Sequence, residues 1–367
     1  MNILVVNRDL SIGGGSTYIH SLCRILTSNG SRVTLLAAPG PMYQSMTGIC
    51  SEIRRVPLVH PIQGPWLSRF LRSRRIDVVN VHSRTQARVA HPVCQQEGIP
   101  LVMTMHGPIG AKHHAALQPV YASAAGVMVM NEQNARYCVR YGVTPSRIFL
   151  TRLMLDWGHR NPRPARQART FTYCSRLSGL KGPKAETWLR AVALLGNVPD
   201  WRLVMIGDGH YRRRLEDLSK ELGLNVSFMG SVTQASRLFD ETDVLTGSGY
   251  VAIEGLRSGC GVVGLGYEGC TGAVTEDSLQ YCLAMNFGDN MYCENDSSPE
   301  RVASSLRAAS TAVETGEADR VSSLARAQCS EDEVAGPVSS FFECVGRQGD
   351  FIPYGVPYSL EGDVVNT

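Results

Sequence analysis

Five short, almost wholly apolar runs punctuate the first 130 residues: NILVV at 2–6, RVTLLA at 32–37, IDVVNV at 76–81, LVMTM at 101–105 and GVMVM at 126–130. None alternates apolar with polar residues, so none suits a strand with one wet face. Continuous apolar runs of this length are what a strand covered on both sides requires, which is the condition of a parallel sheet flanked by helices. Helical spacing fills the stretches between. After NILVV comes the Gly13–Gly15 turn, then Ser16 as candidate N-cap of a helix with Ile19, Leu22, Cys23 and Leu26 on one face, stopped by Gly30. A further strand is expected at 148–150.

The polar, basic stretch 156–169, with Pro162 and Pro164, breaks the rhythm and reads as a connection between domains. The alternation then restarts. Strands are expected at 171–174, 202–206, 225–229, 243–245 and 261–264, with helices at 184–195, 211–222, 233–240, 251–257 and 298–328. The chain of 367 residues is therefore assigned two Rossmann-like, doubly wound parallel-sheet domains facing across a cleft. They span residues 1–165 and 166–345, with a tail at 346–367 that packs back on the first.

Charge supports two halves with different partners. Residues 1–170 hold 20 Lys and Arg against 6 Asp and Glu; the remainder holds 16 against 27. The basic half suits an anion or an acidic membrane surface. Interleaved aromatics and known nucleic-acid modules are missing from it, and the acidic second half speaks against nucleic acid as a partner. No run reaches the roughly 18 apolar residues of a membrane span. The opening MNILVVNRDL is too short in its apolar stretch for a signal peptide. The 11 cysteines form no C-x-x-C pair, their number is odd, and reduced thiols in a cytoplasmic protein are expected.

Ligands of open parallel sheets bind at the carboxyl ends of the strands. The polar residues placed there are Gly13–Gly15, His82 and His106 in the first half. In the second they are Ser175, Arg176, Lys181, the Gly207-Asp208-Gly209 turn and the stretch 246–254. The triple glycine runs into a helix start, where backbone amides can meet an anion, or it is a plain tight turn. Arg176 and Lys181 suit a diphosphate, the first as a fork and the second as a point charge, or they are a solvated surface pair. Glu254 can accept both hydroxyls of a ribose, or it is a glutamate favoured by the start of its helix. No metal-binding cluster stands out.

Five segments in order carry a resemblance: S-R-L-x-x-x-K-G at 175–182, RLVMIGDG at 202–209, VSFMGSV at 226–232, G-x-GYVAIEGL-x-SGCGVV at 247–263, and the Gly13–Gly15 turn with His106-Gly107. Together they resemble the GT-B glycosyltransferases, the retaining type of family 4. The resemblance implies a transferase that moves a sugar from a nucleoside-diphosphate sugar, UDP- or GDP-linked, to a glycan, a lipid-linked glycan or a small molecule. It implies no cofactor and no metal. Arg176 and Lys181 would hold the diphosphate and His106 would act at the reacting sugar. Gly14, Gly15, Gly207, Ser231, Val232, Gly249, Tyr250, Val251 and Glu254 would bind the donor, with Glu254 on the ribose. The family pattern has a glutamate on the donor sugar eight residues before Glu254, where this chain has Thr246. That departure motivates the alternative of a nucleotide-sugar-binding protein without transfer activity. Other GT-B enzymes, epimerases and phosphorylases, fit the Arg/Lys and Glu254 pattern less well.

On the acceptor side, WLSRFLRSRR at 66–75 sets Trp66 and Phe70 beside Arg69 and Arg72 at helical spacing. This makes either a patch for an acceptor or an anionic membrane face, or a helix packed on its own sheet. His113 and His114 beside Lys112 read as an acceptor loop or a surface loop.

Overall fold

The first apolar run becomes the first five residues of strand β1 (Asn2–Asp9), of which Ile3–Val6 are wholly buried. The computed structural model describes residues 1–55, 60–107, 115–159, 161–196, 201–232, 234–290 and 296–349. In the first unit, β1 is joined by β2 (Arg32–Ala38), β3 (Glu52–Arg54), β4 (Val78–Val81), β5 (Leu101–Met105), β6 (Gly126–Val129) and β7 (Ile148–Leu150). All pair in parallel in the order β3-β2-β1-β4-β5-β6-β7. Between them run α1 (Gly14–Ser28), α2 (Tyr43–Thr47), α3 (Gly64–Arg74), α4 (Arg84–Glu97), α5 (Gln118–Ser123) and α6 (Glu132–Arg140). The strand order reverses between β1 and β4. That is the topological switch point, where helices on opposite faces leave a crevice beyond the strand ends.

The second unit repeats the plan with β8 (Thr170–Cys174), β9 (Arg202–Ile206), β10 (Val226–Gly230), β11 (Val244–Gly247), β12 (Gly261–Leu265) and β13 (Cys270–Ala273). Their order is β10-β9-β8-β11-β12-β13, parallel except for the antiparallel edge β13, and the switch point lies between β8 and β11. The helices are α7 (Gly182–Leu194), α8 (Arg212–Glu221), α9 (Ser236–Phe239), α10 (Tyr250–Arg257), α11 (Leu279–Ala284), α12 (Pro299–Glu314) and α13 (Glu317–Cys329). Trp188 of α7 is fully buried and packs on Tyr173 of β8, with ring centroids 5.8 Å apart. Burial of such large side chains contributes roughly 1.5–3 kcal/mol each.

The units divide at Asp156–Trp157 and again at Ser330–Glu331. This corrects the expected end of the second domain at 345. The last helix, α14 (Glu331–Gly346), belongs to the first unit, where it packs on α1. Phe341 stacks on Phe149 of β7 at 4.5 Å, Asn29 Nδ2 donates to Ser339 Oγ at 2.5 Å, and the Glu331 amide donates to the Leu155 carbonyl at 2.9 Å. The tail beyond residue 349 lies outside the described residues.

The basic stretch at 156–169 is no loose linker. Arg166 Nε donates to Asp243 Oδ1 at 2.7 Å, the amides of Arg169 and Thr170 donate to Asp243 Oδ2 at 2.9 and 3.0 Å, and Arg163 Nη1 caps the Thr242 carbonyl at 2.7 Å. Burial works against ionisation of Asp243, but these amides and Arg166 outweigh it and hold the carboxyl below its usual range. Three local expectations also change. Ser16 does not cap α1: Gly13, at φ 153°, is the cap residue, and Ser16 is buried in the first turn. The helix expected at 233–240 contracts to α9, and the one at 298–328 is cut in two at Gly316, which is left-handed with φ 73°.

Candidate functional site

In the second unit, the loop leaving β8 and the start of α10 after β11 meet at the switch point. The GDG turn after β9 supports that loop. The Leu177 amide donates to the Asp208 carbonyl at 2.9 Å and the Tyr211 amide to the Leu177 carbonyl at 3.0 Å. Any side chain at Gly207, whose φ is 134°, would collide with the Ser175 carbonyl. The Gly207 amide is itself spent on the Gly230 carbonyl at 2.8 Å. Gly207 thus shapes the loop, and its own amide is taken up within the unit.

The loop presents two cations in different states. Arg176 is exposed and bonded to nothing among the described residues. Lys181, half-buried at the end of a short 3-10 turn, gives its Nζ to Ser248 Oγ and to Asp289 Oδ2, both at 2.9 Å. Ser248 Oγ donates in turn to Asp289 Oδ2 at 3.0 Å, and the Tyr267 amide donates to Asp289 Oδ1 at 3.1 Å. Sequence reasoning did not find Asp289, which sits in a short polar turn with no periodicity to mark it.

Gly249 supplies the positive φ, 56°, that lets β11 turn into α10. The first-turn residues Tyr250 and Val251 follow, and Glu254 lies one turn further on. Burial pushes the Glu254 carboxyl up to about 7, with Arg257 pulling the other way. Thr246 is fully buried inside β11, and its Oγ1 has no hydrogen-bond partner among the described residues. Ser231, exposed, and Val232, half-buried, follow β10 two strands from β8.

In the first unit, the switch point brings together the Gly13–Gly15 turn after β1 and His82 after β4, with His106 after the adjacent β5. Gly14 is exposed and Gly15 half-buried at the start of α1, where first-turn amides lack intrahelical partners. His82 Nδ1 lies 2.9 Å from His106 Nε2, and His82 Nε2 lies 2.6 Å from Asn80 Oδ1. Asn80 Nδ2 donates to Thr104 Oγ1 at 2.8 Å and to the Val102 carbonyl at 3.3 Å. The Tyr18 and His106 rings meet in a T-shaped arrangement, centroids 5.3 Å apart at 85°, while the Tyr18 hydroxyl bonds Thr151 Oγ1 at 2.8 Å. Burial, with His106 alongside, lowers the His82 imidazole well below its usual range, and burial brings His106 down to about 4. Both rings are neutral at neutral pH.

The helix at 66–75 is present as α3, but its cationic face is largely paired. Arg72 makes a fork to Glu97 at 2.7 and 2.8 Å and also donates to Ser68. Phe70 is buried. Trp66, 36% exposed and stacked on Phe70, faces outward with Ile62, 79% exposed, and with Arg69 and Arg72, the latter exposed though paired. Phe70 therefore leaves the expected patch. Lys112, His113 and His114 lie outside the described residues. Among the described residues, no three His, Cys, Asp or Glu side chains gather as a metal site requires, and no helix is long and apolar enough to cross a membrane. Of the ten cysteines described, nine are buried and none is bridged.

Two doubly wound sheets, each with its polar residues at its own switch point, define a two-domain Rossmann-like protein. The chain belongs to the GT-B glycosyltransferases of family 4 and group 1: residues 12–152 match Glycosyltransferase Family 4, and residues 159–290 match Glycosyl transferases group 1. No curated protein matches it by sequence. Solved structures similar to it include a glycosyltransferase from Rickettsia africae, with TM-score 0.72 and 14% identity over 94% of this chain and 98% of that one. HepE from Anabaena in complex with UDP-glucose gives 0.71 and 14% over 94% and 99%. Sucrose-phosphate synthase from Thermosynechococcus elongatus gives 0.69 and 17% over 93% and 98%. At these identities the likeness is one of fold.

Proposed function

We propose that this glycosyltransferase takes its sugar from a nucleoside-diphosphate sugar, UDP- or GDP-linked, and passes it with retained configuration to a glycan, a lipid-linked glycan or a small molecule. The observation that carries the reading is the placement of Arg176, Lys181 and Glu254 around one switch point, beside the α10 start at Gly249–Val251. In this reading Arg176 and Lys181 neutralise the diphosphate as the bond from the anomeric carbon to its oxygen breaks. The acceptor hydroxyl attacks from the same face and hands its proton to the departing diphosphate oxygen. Stabilising charge at the leaving group is the largest service a site can give such a step. Side-chain cations supply it here, so the proposal includes no resident metal or cofactor.

Glu254 accepts the ribose diol, Ser231 and Val232 border the base, and Gly14 and Gly15 offer helix-start amides to the diphosphate. His106 acts at the donor sugar. The complex of HepE with UDP-glucose favours uridine among the bases. A binding protein without transfer activity has only Thr246 in its favour. Unbridged cysteines favour a reducing, cytoplasmic setting. Trp66, Ile62 and Arg69 remain as the contact with an anionic membrane surface.

Thermal shifts against UDP, GDP, ADP, CDP and dTDP test the site, with Glu254→Ala as control. A shift with UDP or GDP that the variant loses supports the reading, and no shift with any nucleotide rejects it. The anomeric configuration of the first-formed product, read by proton NMR, decides retention.

A further inference from the structure

We propose that Asn80 and His82 are positioning residues that fix His106 in one tautomer, protonated at Nε2 and bare at Nδ1, so that the ring offers its substrate an acceptor and no donor.

One hydrogen-bonded chain within the first unit fixes each proton in turn. It starts at the Val102 carbonyl, which can only accept. The Asn80 group 3.3 Å from it is therefore the amide nitrogen, and the same nitrogen reaches Thr104 Oγ1 at 2.8 Å. This leaves Asn80 Oδ1, an acceptor, facing His82 Nε2 at 2.6 Å. Two acceptors at that distance would repel, so His82 carries its proton on Nε2. A neutral imidazole has one proton, so His82 Nδ1 holds a lone pair toward His106 Nε2, 2.9 Å away. His106 Nε2 must then be the donor. In a neutral ring, Nδ1 is left bare.

Asn80, His82 and Thr104 are buried, so water does not compete for these groups. Tyr18 braces the His106 ring in a T-shaped contact, and Thr151 braces Tyr18. An amide in mid-strand costs stability unless every polar atom is satisfied. Here both its atoms are used, and their use dictates a proton position two residues away.

The inference rests on His106 acting at the reacting sugar. A ring with Nδ1 bare can accept a hydrogen bond or a proton from a sugar or acceptor hydroxyl, and it cannot donate one from that atom. The test is long-range proton–nitrogen NMR of the full chain labelled at histidine, with His106 assigned from His106→Gln. The expected wild-type spectrum shows His106 protonated at Nε2 alone. A proton on Nδ1, or an averaged pair of tautomers, overturns the proposal without any variant.

Asn80→Leu removes the anchor and is expected to give averaged tautomers. It should also lower kcat for nucleotide release from a panel of UDP- and GDP-sugars by about 10- to 100-fold, below the 10²–10⁴ of a lost proton-transfer group. Donor KM and the thermal shift with UDP stay unchanged. Asn80→Asp loses the donor to the Val102 carbonyl and sets a carboxylate on His82 Nε2, which favours doubly protonated His82. Its Nδ1–H then donates to His106 Nε2, so this variant is expected to move the His106 proton to Nδ1 and not to restore turnover. Retention of the wild-type tautomer in Asn80→Leu overturns the role of Asn80. Full turnover in His106→Gln instead rejects the underlying role of His106, while the wild-type spectrum still decides the tautomer.

Discussion

Lys181 Nζ stands 2.9 Å from Asp289 Oδ2, so the cation that the sequence reserves for a diphosphate is already neutralised within its own unit. In the proposed donor site, an arriving phosphate would compete with a carboxylate that Ser248 and the Tyr267 amide hold in place. Replacing Asp289 with Asn keeps an acceptor for Lys181 and removes the opposing charge. Asp289→Asn is therefore expected to bind UDP about five- to tenfold more tightly by calorimetry, with steeper salt dependence. Lys181→Ala is expected to weaken binding by about 1.5–3 kcal/mol, the worth of a hydrogen bond to a charged group, because Asp289 then faces the phosphate alone.

If Glu254 binds the ribose as proposed, nucleotide binding acquires a pH dependence of definite sign. Its carboxyl is pushed up to about 7 by burial, and a carboxylate is needed to accept both ribose hydroxyls. Nucleotide affinity should rise as pH increases through about 7, with release of a proton on binding below that point. Calorimetry in buffers of different ionisation enthalpy reads the proton directly. Glu254→Gln should flatten the profile.

Glu254 and His106 tilt stability in opposite directions as pH changes. For Glu254 the folded state binds more protons than the unfolded one between about 4.5 and 7, so its contribution falls as pH rises through that window. For His106, lowered from 6.5 to about 4, the unfolded state binds more protons between those values, so its contribution is lost as pH falls from 6.5 toward 4. Urea titrations across pH should show Glu254→Gln removing the first slope and His106→Gln the second.

The α3 surface separates packing from membrane contact. Arg72 is tied to Glu97 in a solvent-screened pair that adds little to stability. Arg72→Ala should leave stability nearly unchanged and vesicle binding close to wild type. Trp66→Ser with Arg69→Ser should abolish sedimentation with anionic vesicles at low salt. Equal binding by both variants would end the case for this patch.

Phe341 of α14 is 1% exposed and stacks on Phe149. Phe341→Ala should cost about 3–5 kcal/mol in urea unfolding followed by probes in the first unit, the usual penalty for an aromatic deleted from a core. The UDP thermal shift should survive at temperatures where the protein remains folded.

The central strands were legible because a strand covered on both faces has little choice but a continuous apolar run. The edges were not. Glu52–Arg54 is three residues long with two charges, and Cys270–Ala273 is short and glycine-containing, so neither had a pattern to show. Helix α14 presents an apolar face, but nothing in its periodicity says which sheet that face covers. In the candidate site, Arg176, Lys181 and Glu254 were visible through their neighbours, whereas Asp289 was invisible because its partners are distant in sequence. Asn80 left a clue in plain view. An amide inside the run IDVVNV must be buried, and a buried amide must be answered by partners.

The return of α14 makes residues 157–330 a contiguous body set into the chain of the first. During synthesis the inserted body can be completed before the first has received its last helix. Until Glu331–Gly346 leaves the ribosome, Phe149 lacks Phe341, so the unit begun earlier finishes later. In the order of synthesis, the unit that begins first is the one completed last, the reverse of simple N-to-C completion.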